Sequence, residues 1–362
     1  MDNDKYAELD LIPLEVEEDE LEQPEDVDAG ILDLDCVHMW QKSYENSVLP
    51  FVILDKQLRI LWENGQYREQ FNRGKTRFGE HMVKLFSNFL GEEDISNIYR
   101  NIKTADSGFS WRGRLETGGR QFRRIIANTM IFPIFSSHPS TGGASSPVGY
   151  GALFDNVTEE YQSLLRSTFL SLLEASKMKD NDTGRHIQRV NEYSKTIAYA
   201  LFNMEQYPEI DMQFIDDIGF LAAMHDVGKI GTPDDILNKT GPLDDREWKV
   251  MKEHTINGAY ILSTYSNPMA KEIALFHHER WDGSGYPYNL SEDMIPLPSR
   301  IVAIADVYDA LRMERSYKEA YSHEKSFGIL VESSGTHFDP QLISLIETQE
   351  AEFEAIYNRL AD

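Results

Sequence analysis

The chain is 362 residues long, carries a formal charge of −26 at pH 7 and contains 41% hydrophobic residues, enough to bury a sizeable core. Such an acidic chain is unsuited to covering the phosphates of long nucleic acids or binding an anionic membrane surface, and no apolar stretch is long enough for a transmembrane helix. The length predicts two domains, and the single cysteine, Cys36, excludes an internal disulfide and favours the reducing cytoplasm.

The first 35 residues hold more than half of the negative charge. They contain 15 aspartate and glutamate residues against one basic residue, Lys5. Because like charges repel and the segment has little apolar surface to bury, we predict a disordered, solvating tail over residues 1–40. The alternative is a regulatory segment that docks on basic side chains of the following domain, which otherwise form a solvated sheet face. These side chains are Arg112, Arg114, Arg120, Arg123 and Arg124.

The next segment alternates strands with short helices. Apolar stretches bounded by turn residues predict two strands, then helical stretches, then three more strands of one antiparallel sheet. The predicted strands are 49–55, 59–64, 108–116, 120–135 and 148–154, and the predicted helices are 65–71 and 82–89. A polar loop rich in serine and glycine occupies residues 136–147.

This order of elements resembles that of PAS sensor domains, as does the closing sequence Asp155-Asn156-Val157-Thr158-Glu159-Glu160. The resemblance implies a sensor domain over residues 46–158, which either holds a ligand behind the sheet or serves as a dimerisation module. His81 is a candidate haem ligand in such a domain, and the alternative is an ordinary helix histidine.

Apolar residues recur at heptad spacing directly after this domain. The seam consists of Tyr161, Leu165, Thr168, Leu172 and Ala175. The spacing predicts a continuous helix over residues 159–180 that links the first domain to an output domain. We expect the chain to form a homodimer through the PAS-like domain and this helix.

Five histidines and two aspartates in the second half interrupt or end apolar helical stretches. They are His186, His225, His254, His277 and His278, with Asp226 and Asp306. A single histidine on an apolar face is usually a satisfied core residue. Seven such groups on separate segments instead indicate a metal centre, because an unpaired buried carboxylate would be costly. Asp182 precedes His186 by four residues and shares its face if that segment is helical.

Imidazole and carboxylate donors without thiolate suit iron, manganese or zinc. A carboxylate placed between imidazoles can bridge two ions. Two metal ions about 3.5–4 Å apart can bind both the attacking and the leaving oxygen of a phosphoryl transfer. The residues therefore predict a metal-dependent site that acts on a phosphate ester.

Long, ordered motifs in the same half are similar to those of the HD-GYP family. They are the sequence from His225 to Lys229, the sequence from His277-His278 to Gly285-Tyr286-Pro287, the sequence from Pro298 to Leu311, and the sequence from Gly335 to Pro340. The resemblance covers about residues 160–350 and implies an all-α bundle of the HD superfamily. It also implies metal-dependent hydrolysis of cyclic di-GMP, a bacterial second messenger, to linear pGpG and in some members on to GMP.

The resemblance implies a set of seven metal ligands, with Asp226 as the bridging carboxylate. The set is His186, His225, Asp226, His254, His277, His278 and Asp306. Asp182 stands where members with a third metal carry glutamate. A centre of two or three divalent ions is therefore implied, with iron as the metal and manganese as the alternative.

Other residues match family positions around the substrate. Lys229 matches a lysine that contacts the scissile phosphate, where it would stabilise developing charge or protonate the leaving oxygen. Arg315 and Lys318 match phosphate contacts, and their alternative is a solvated basic patch. Gly285-Tyr286-Pro287 matches a loop that shapes the substrate pocket, although by itself it would only predict a turn.

Three further carboxylates lie close to these motifs. Glu279 and Asp282 are candidates to orient the ligand imidazoles. Asp309 is expected to cap or pair near Asp306.

Together these features predict an α+β protein, in which a PAS-like antiparallel sheet domain is joined by a helix to an all-α HD-GYP domain over residues 181–362. The predicted function is hydrolysis of cyclic di-GMP, regulated by the first domain, in the cytoplasm, with a GGDEF-domain protein as a further partner and without DNA or membrane binding. Two alternatives stay open. One is an inactive cyclic di-GMP receptor or a scaffold for a diguanylate cyclase, and the other is an HD-superfamily phosphohydrolase acting on another nucleotide.

Overall fold

The fold combines an antiparallel sheet with a helical region, which confirms the predicted α+β class. A computed structural model describes residues 34–72, 74–82, 86, 96–98, 110–119, 122–136, 147–179, 184–265, 267–313 and 320–361. Within these ranges, no helix has both the length and the apolar character needed to cross a bilayer.

The first half forms one five-stranded antiparallel sheet with the spatial order β2-β1-β5-β4-β3. The strands are β1 (Phe51–Leu54), β2 (Ile60–Glu63), β3 (Trp111–Gly119), β4 (Phe122–Ile134) and β5 (Gly149–Asn156). In β1, Val52 lies opposite Glu63 of β2 and Ala152 of β5. All five predicted strands are present, and their ends differ from the predicted ones by at most three residues.

Both faces of this sheet are covered. Side chains alternate along β1, so that Val52 and Leu54 join the larger core on one face. Helix α2 (Gly65–Asn72) contributes Tyr67 to that core.

Helix α1 (Leu34–Tyr44) covers the opposite face. The Trp40 ring lies 5.4 Å from that of Phe132, and the Tyr44 ring is stacked 4.1 Å from that of Phe51. This helix begins inside the segment predicted as a disordered tail, because its aromatic side chains find an apolar sheet face to cover. The rest of the predicted tail, residues 1–33, lies outside the described residues. His81 pairs with Arg59 in a β-bridge rather than lying in a helix.

Helix α3 (Thr158–Lys177) joins the sheet to the helical region. Its start is tied to the sheet because the Ile126 amide donates to Thr158 Oγ1 at 2.8 Å, and the Thr158 amide donates to Asn156 Oδ1 at 3.1 Å. Further along the helix, the Phe169 ring meets that of Tyr265 edge-on at 4.6 Å. Of the predicted heptad seam, Thr168 is exposed, and the proposed dimer contact through this helix stays a prediction.

The helical region that follows is built from ten further α-helices in the described ranges. They are α4 (Gly184–Phe202), α5 (Met212–Leu221), α6 (Asp234–Leu237), α7 (Asp245–Lys252), α8 (His254–Ile261), α9 (Pro268–Phe276), α10 (Leu297–Arg312), α11 (His323–Glu332), α12 (Pro340–Glu347) and α13 (Glu350–Arg359). Several starts follow from capping chemistry: Asn267 caps α9 directly before Pro268, and Asp339 caps α12 directly before Pro340. The apolar faces of α4, α5, α9 and α10 meet in one core that also takes in Phe169 and Leu173 of α3.

Candidate metal centre

The fold brings all seven predicted ligand residues together from five segments. His186 lies in α4, His254 is the first residue of α8, and Asp306 lies in α10. His277 and His278 directly follow the end of α9. His225 and Asp226 lie between two short 3-10 helices, Ala222–Met224 and Val227–Gly231, and not on the continuous α-helix that the apolar pattern predicts.

Close backbone packing positions the segment that carries Asp226. Gly228 lies against the His254 carbonyl oxygen and the Gly258 amide, where a Cβ atom would collide with the backbone. Only glycine allows the 3-10 helix Val227–Gly231 to approach α8 this closely. The approach brings Asp226 next to His254.

The donor atoms form two clusters. Asp226, His254, His277 and His278 form the first, and His186, His225 and Asp306 form the second, with all donor atoms of each cluster within 4.8 Å of one another. In the second cluster the Nε2 atoms of His186 and His225 each lie 3.7 Å from Asp306 Oδ1.

Asp226 is a member of the first cluster and also faces the second. Its Oδ1 atom lies 3.4 Å from His254 Nε2 and 3.8 Å from His277 Nε2. Its Oδ2 atom lies 3.3 Å from His225 Nε2. One carboxylate therefore presents one oxygen to each cluster, which is the arrangement that a bridging ligand needs.

Backbone carbonyls orient three of the imidazoles. His225 Nδ1 lies 2.8 Å from the Ala222 oxygen, His254 Nδ1 lies 2.7 Å from the Met251 oxygen, and His277 Nδ1 lies 3.0 Å from the Ile273 oxygen. A carbonyl can only accept, so each Nδ1 donates its proton to that oxygen and Nε2 is the ring nitrogen left for a metal ion. These Nε2 atoms face the clusters, as metal ligation requires.

A buried carboxylate orients His186 in the same way. Asp309 Oδ2 lies 2.7 Å from His186 Nδ1, and Arg189 holds the same carboxylate with Nε at 2.6 Å from Oδ1 and Nη2 at 3.0 Å from Oδ2. Asp309 and Arg189 are both buried. The expectation that Asp309 pairs near Asp306 missed this role, because the partners lie more than 100 residues away along the chain.

The electrostatics of the clusters favour a cation. Burial alone would lower the pKa of His225, but the carboxylates of Asp226 and Asp306 outweigh burial and raise that pKa to about 9. Burial lowers the pKa of His278 to about 3 and that of His277 well below its usual range. Burial would raise the pKa of Asp226, but Lys229 and His225 outweigh it and keep that pKa well below its usual range.

The donor set fits divalent metal ions. His225 Nε2 and Asp226 Oδ1 are buried and, among the described residues, have no hydrogen-bond partner. Unsatisfied buried polar atoms are costly, and a cation bound in each cluster would satisfy one of these two atoms. Imidazole and carboxylate donors suit iron, manganese or zinc, and both clusters consist of such donors alone.

Lys229 lies beside the centre. Its Nζ atom is 2.8 Å from Asp226 Oδ2, and its side chain is one-fifth exposed. The Lys229 ammonium group can therefore reach a phosphate held at the two clusters.

The Gly285-Tyr286-Pro287 loop packs against the first cluster. The Tyr286 ring is stacked on His278 at 4.8 Å, and the Tyr286–Pro287 peptide bond is cis. A Cβ atom on Gly285 would collide with the backbone of His278, Glu279 and Arg280, so glycine lets the loop fold back on the histidine pair.

Glu279 and Asp282 hold this loop rather than the imidazoles. The Glu279 carboxylate accepts from the amides of Tyr288 at 2.7 Å and Leu290 at 3.0 Å. Asp282 accepts from the amide and hydroxyl of Ser284. The expectation that these two carboxylates orient ligand imidazoles was therefore wrong, because backbone carbonyls and Asp309 do so. Asp182, Arg315 and Lys318 lie outside the described residues.

Comparison with known proteins shows which family model and which proteins the chain resembles. A family model described as HD domain matches residues 178–342. The chain is similar to a cyclic di-GMP phosphodiesterase of Vibrio cholerae serotype O1, with 44% identity over 202 residues that cover 53% of this chain and 41% of the relative. It is also similar to the 3'3'-cGAMP-specific phosphodiesterase 2 of that organism, with 39% identity over 217 residues that cover 59% of this chain and 40% of the relative.

The chain thus spans about two fifths of the length of these two relatives. A solved PAS domain from Colwellia psychrerythraea aligns with 34% of this chain and 98% of its own length, at 16% identity and a TM-score of 0.26. Residues 178–342 are thus similar to the HD domain family, and the chain is similar to a protein that is named as a cyclic di-GMP phosphodiesterase.

Proposed function

We propose that the chain hydrolyses cyclic di-GMP at a binuclear, metal-dependent centre. The observation that carries the proposal is the pair of donor clusters that share Asp226, with Oδ1 facing His254 and His277 and Oδ2 facing His225. The name of the Vibrio cholerae relative supports the substrate class.

The centre would hold two divalent ions, iron or alternatively manganese. His254, His277 and His278 would bind one ion, His186, His225 and Asp306 the other, and Asp226 both. A third ion would require Asp182 as an additional ligand. The absence of thiolate from both clusters supports these metals over a structural zinc site.

The residues around the centre divide the chemistry among them. Bound divalent ions would supply Lewis acidity toward phosphate oxygens and a nucleophile from water at neutral pH. Asp226 would hold the ions at a fixed separation. Lys229 would stabilise the charge that develops on the phosphate or protonate the leaving 3′ oxygen, since its ammonium group lies next to the shared carboxylate.

Further contacts and regulation complete the proposal. Arg315 and Lys318 would bind substrate phosphate, and Gly285-Tyr286-Pro287 would shape the pocket. The product would be linear pGpG, or GMP if hydrolysis continues past the linear dinucleotide. The sheet domain would act as a PAS-like sensor in a cytoplasmic homodimer formed through that domain and α3, with a GGDEF-domain protein as a further partner.

A second candidate substrate is 3'3'-cGAMP. The observation that favours it is the 39% identity to a phosphodiesterase that is named as specific for this dinucleotide. Both substrates present the same phosphodiester linkages and differ in one purine base. The centre described above would act on either one.

The test is hydrolysis by the purified, metal-loaded full chain. The protein is loaded with Fe(II) or Mn(II) under reducing conditions, and loss of cyclic di-GMP and of 3'3'-cGAMP is followed by chromatography. We expect turnover by the wild type, loss of metal and turnover in His225→Ala, and wild-type behaviour in the control His38→Ala, which changes an exposed histidine of α1. No loss of either dinucleotide would overturn the proposal, and tight binding without turnover would instead support a receptor.

A further inference from the structure

A groove of about 740 Å³ opens beside the first donor cluster. Helix α7 forms one wall, and the segment from His278 to Tyr286 forms the other. Its lining includes three cationic side chains, Lys249, Lys252 and Arg280, and one carboxylate, Asp245. The volume lies in the range of small-molecule sites, and the excess of cations suits an anionic ligand.

Helix α7 presents a face that the core does not use. A capping box of Asp244 and Glu247 starts the helix, and none of its residues is buried. Its groove residues, Asp245, Trp248, Lys249 and Lys252, follow the spacing of a single helix face. Trp248 is 48% exposed on that face, so packing against the protein does not account for a large aromatic side chain at this position.

The opposite wall connects the groove to the metal ligands. Lys252 Nζ lies 5.0 Å from the centre of the Tyr286 ring, and that ring is stacked on His278. Lys252 and Tyr286 therefore connect the groove that Trp248 lines to the ligand histidine His278. Arg280 is held in the groove wall by its Nε atom, which donates to Ser284 Oγ at 2.9 Å.

We propose that this groove is a nucleotide subsite in which Trp248 stacks on one purine base of the substrate and Lys252 binds the adjacent phosphate. The inference rests on the proposed function. When the scissile phosphate of a cyclic dinucleotide lies at the metals, its second phosphate and its two bases still need binding sites outside the metal centre. Indole stacks on any base, and an ammonium group binds phosphate as a point charge.

The test measures cyclic di-GMP binding to the metal-free full chain by calorimetry, together with KM and kcat of the metal-loaded chain. We expect Trp248→Ala to weaken binding and raise KM by at least about 5-fold, with kcat within about 2-fold and metal content unchanged. Trp248→Phe should restore most of the affinity, because a phenyl ring also stacks. Tyr260→Ala removes an 81% exposed aromatic ring of α8 and serves as the control.

Lys252 is tested in the same assay. Lys252→Met should weaken binding and reduce its dependence on salt, whereas Lys271→Met, at an exposed lysine of α9, should do neither. Wild-type binding that Trp248→Ala leaves unchanged would overturn the subsite while the proposed function stands. A wild type that does not bind the dinucleotide without metal would also overturn the subsite, and its hydrolysis by the metal-loaded chain would then decide the proposed function separately.

Discussion

The Asp309–Arg189 pair permits a prediction that separates folding from metal binding. Asp309 is fully buried, takes two hydrogen bonds from the Arg189 guanidinium and orients His186. Asp309→Ala leaves a buried cation without its partner, which typically costs about 3–5 kcal/mol. It also removes the acceptor of His186 Nδ1, and loss of such an outer-shell partner typically lowers metal affinity about 10–100-fold.

The assay combines urea unfolding of the metal-free chain, followed by its helical circular dichroism, with metal titration. Asp293→Ala is the matched control, because Asp293 is the exposed partner of an arginine that also binds Asp339. It should cost less than about 1 kcal/mol. The double variant Arg189→Leu with Asp309→Leu should recover much of the stability, since no buried charge is left unpaired, but not the metal affinity.

Two results would refute this reasoning. A free energy of unfolding within about 1 kcal/mol of the wild type for Asp309→Ala would show that the pair is not a buried charge pair of the expected kind. A double variant with full metal affinity would show that Asp309 does not orient His186.

Three other changes have outcomes that the structure specifies. Lys229→Met should lower kcat about 10²–10³-fold with unchanged metal content. Steady-state kinetics measure this beside the control Lys239→Met, and loss of metal in Lys229→Met would contradict the role of Lys229 in stabilising charge on the phosphate. A chelator should lower the melting temperature by several degrees, because ligands that bind only the folded chain stabilise it, and an unchanged melting curve would argue against the centre. Burial raises the pKa of Asp217 to about 6. The folded chain therefore binds the proton of the Asp217 carboxyl group more tightly than the unfolded chain does, so the free energy of unfolding should fall as pH rises from about 4 to 6. Asp217→Asn should remove that fall and stabilise the chain by about 1–3 kcal/mol at pH 7.5. An unchanged pH profile of unfolding in that variant would contradict this.

The sequence predicted those features that depend on a regular spacing of apolar residues or on an ordered motif. The five strands follow from apolar stretches bounded by turn residues, and the linking helix follows from heptad spacing. The candidate ligand residues follow from polar groups inside apolar stretches. Their convergence on two clusters agrees with the expectation that a buried carboxylate such as Asp226 needs a partner.

What the sequence could not predict depends on partners far apart along the chain. Arg189 of helix α4 and Asp309 of helix α10 form a hydrogen-bonded ion pair. The sequence around either residue gives no indication of its partner. Because Glu279 lies next to His278 in the sequence, it is expected to orient a ligand imidazole. Its carboxylate instead accepts hydrogen bonds from the amides of Tyr288 and Leu290. Adjacent residues point in different directions, so closeness in sequence does not fix a side chain's partner.

Helix α1 shows the same limit in the first domain. It adjoins an acidic segment, and composition alone assigns its residues 34–40 to a disordered tail. Trp40 and Tyr44 instead cover one sheet face, which exists only once β1 and β4 have joined the same sheet on either side of β5. Tertiary burial outweighs local composition wherever large aromatic surface is available.

Metal stoichiometry tests the two clusters joined by Asp226 most directly. Elemental analysis of the metal-loaded full chain is compared among the wild type, His254→Ala in the first cluster and His186→Ala in the second. We predict two ions per chain in the wild type and about one in each variant, with neither variant hydrolysing cyclic di-GMP. A wild type that binds a single ion, or variants that keep both ions, would contradict the binuclear centre.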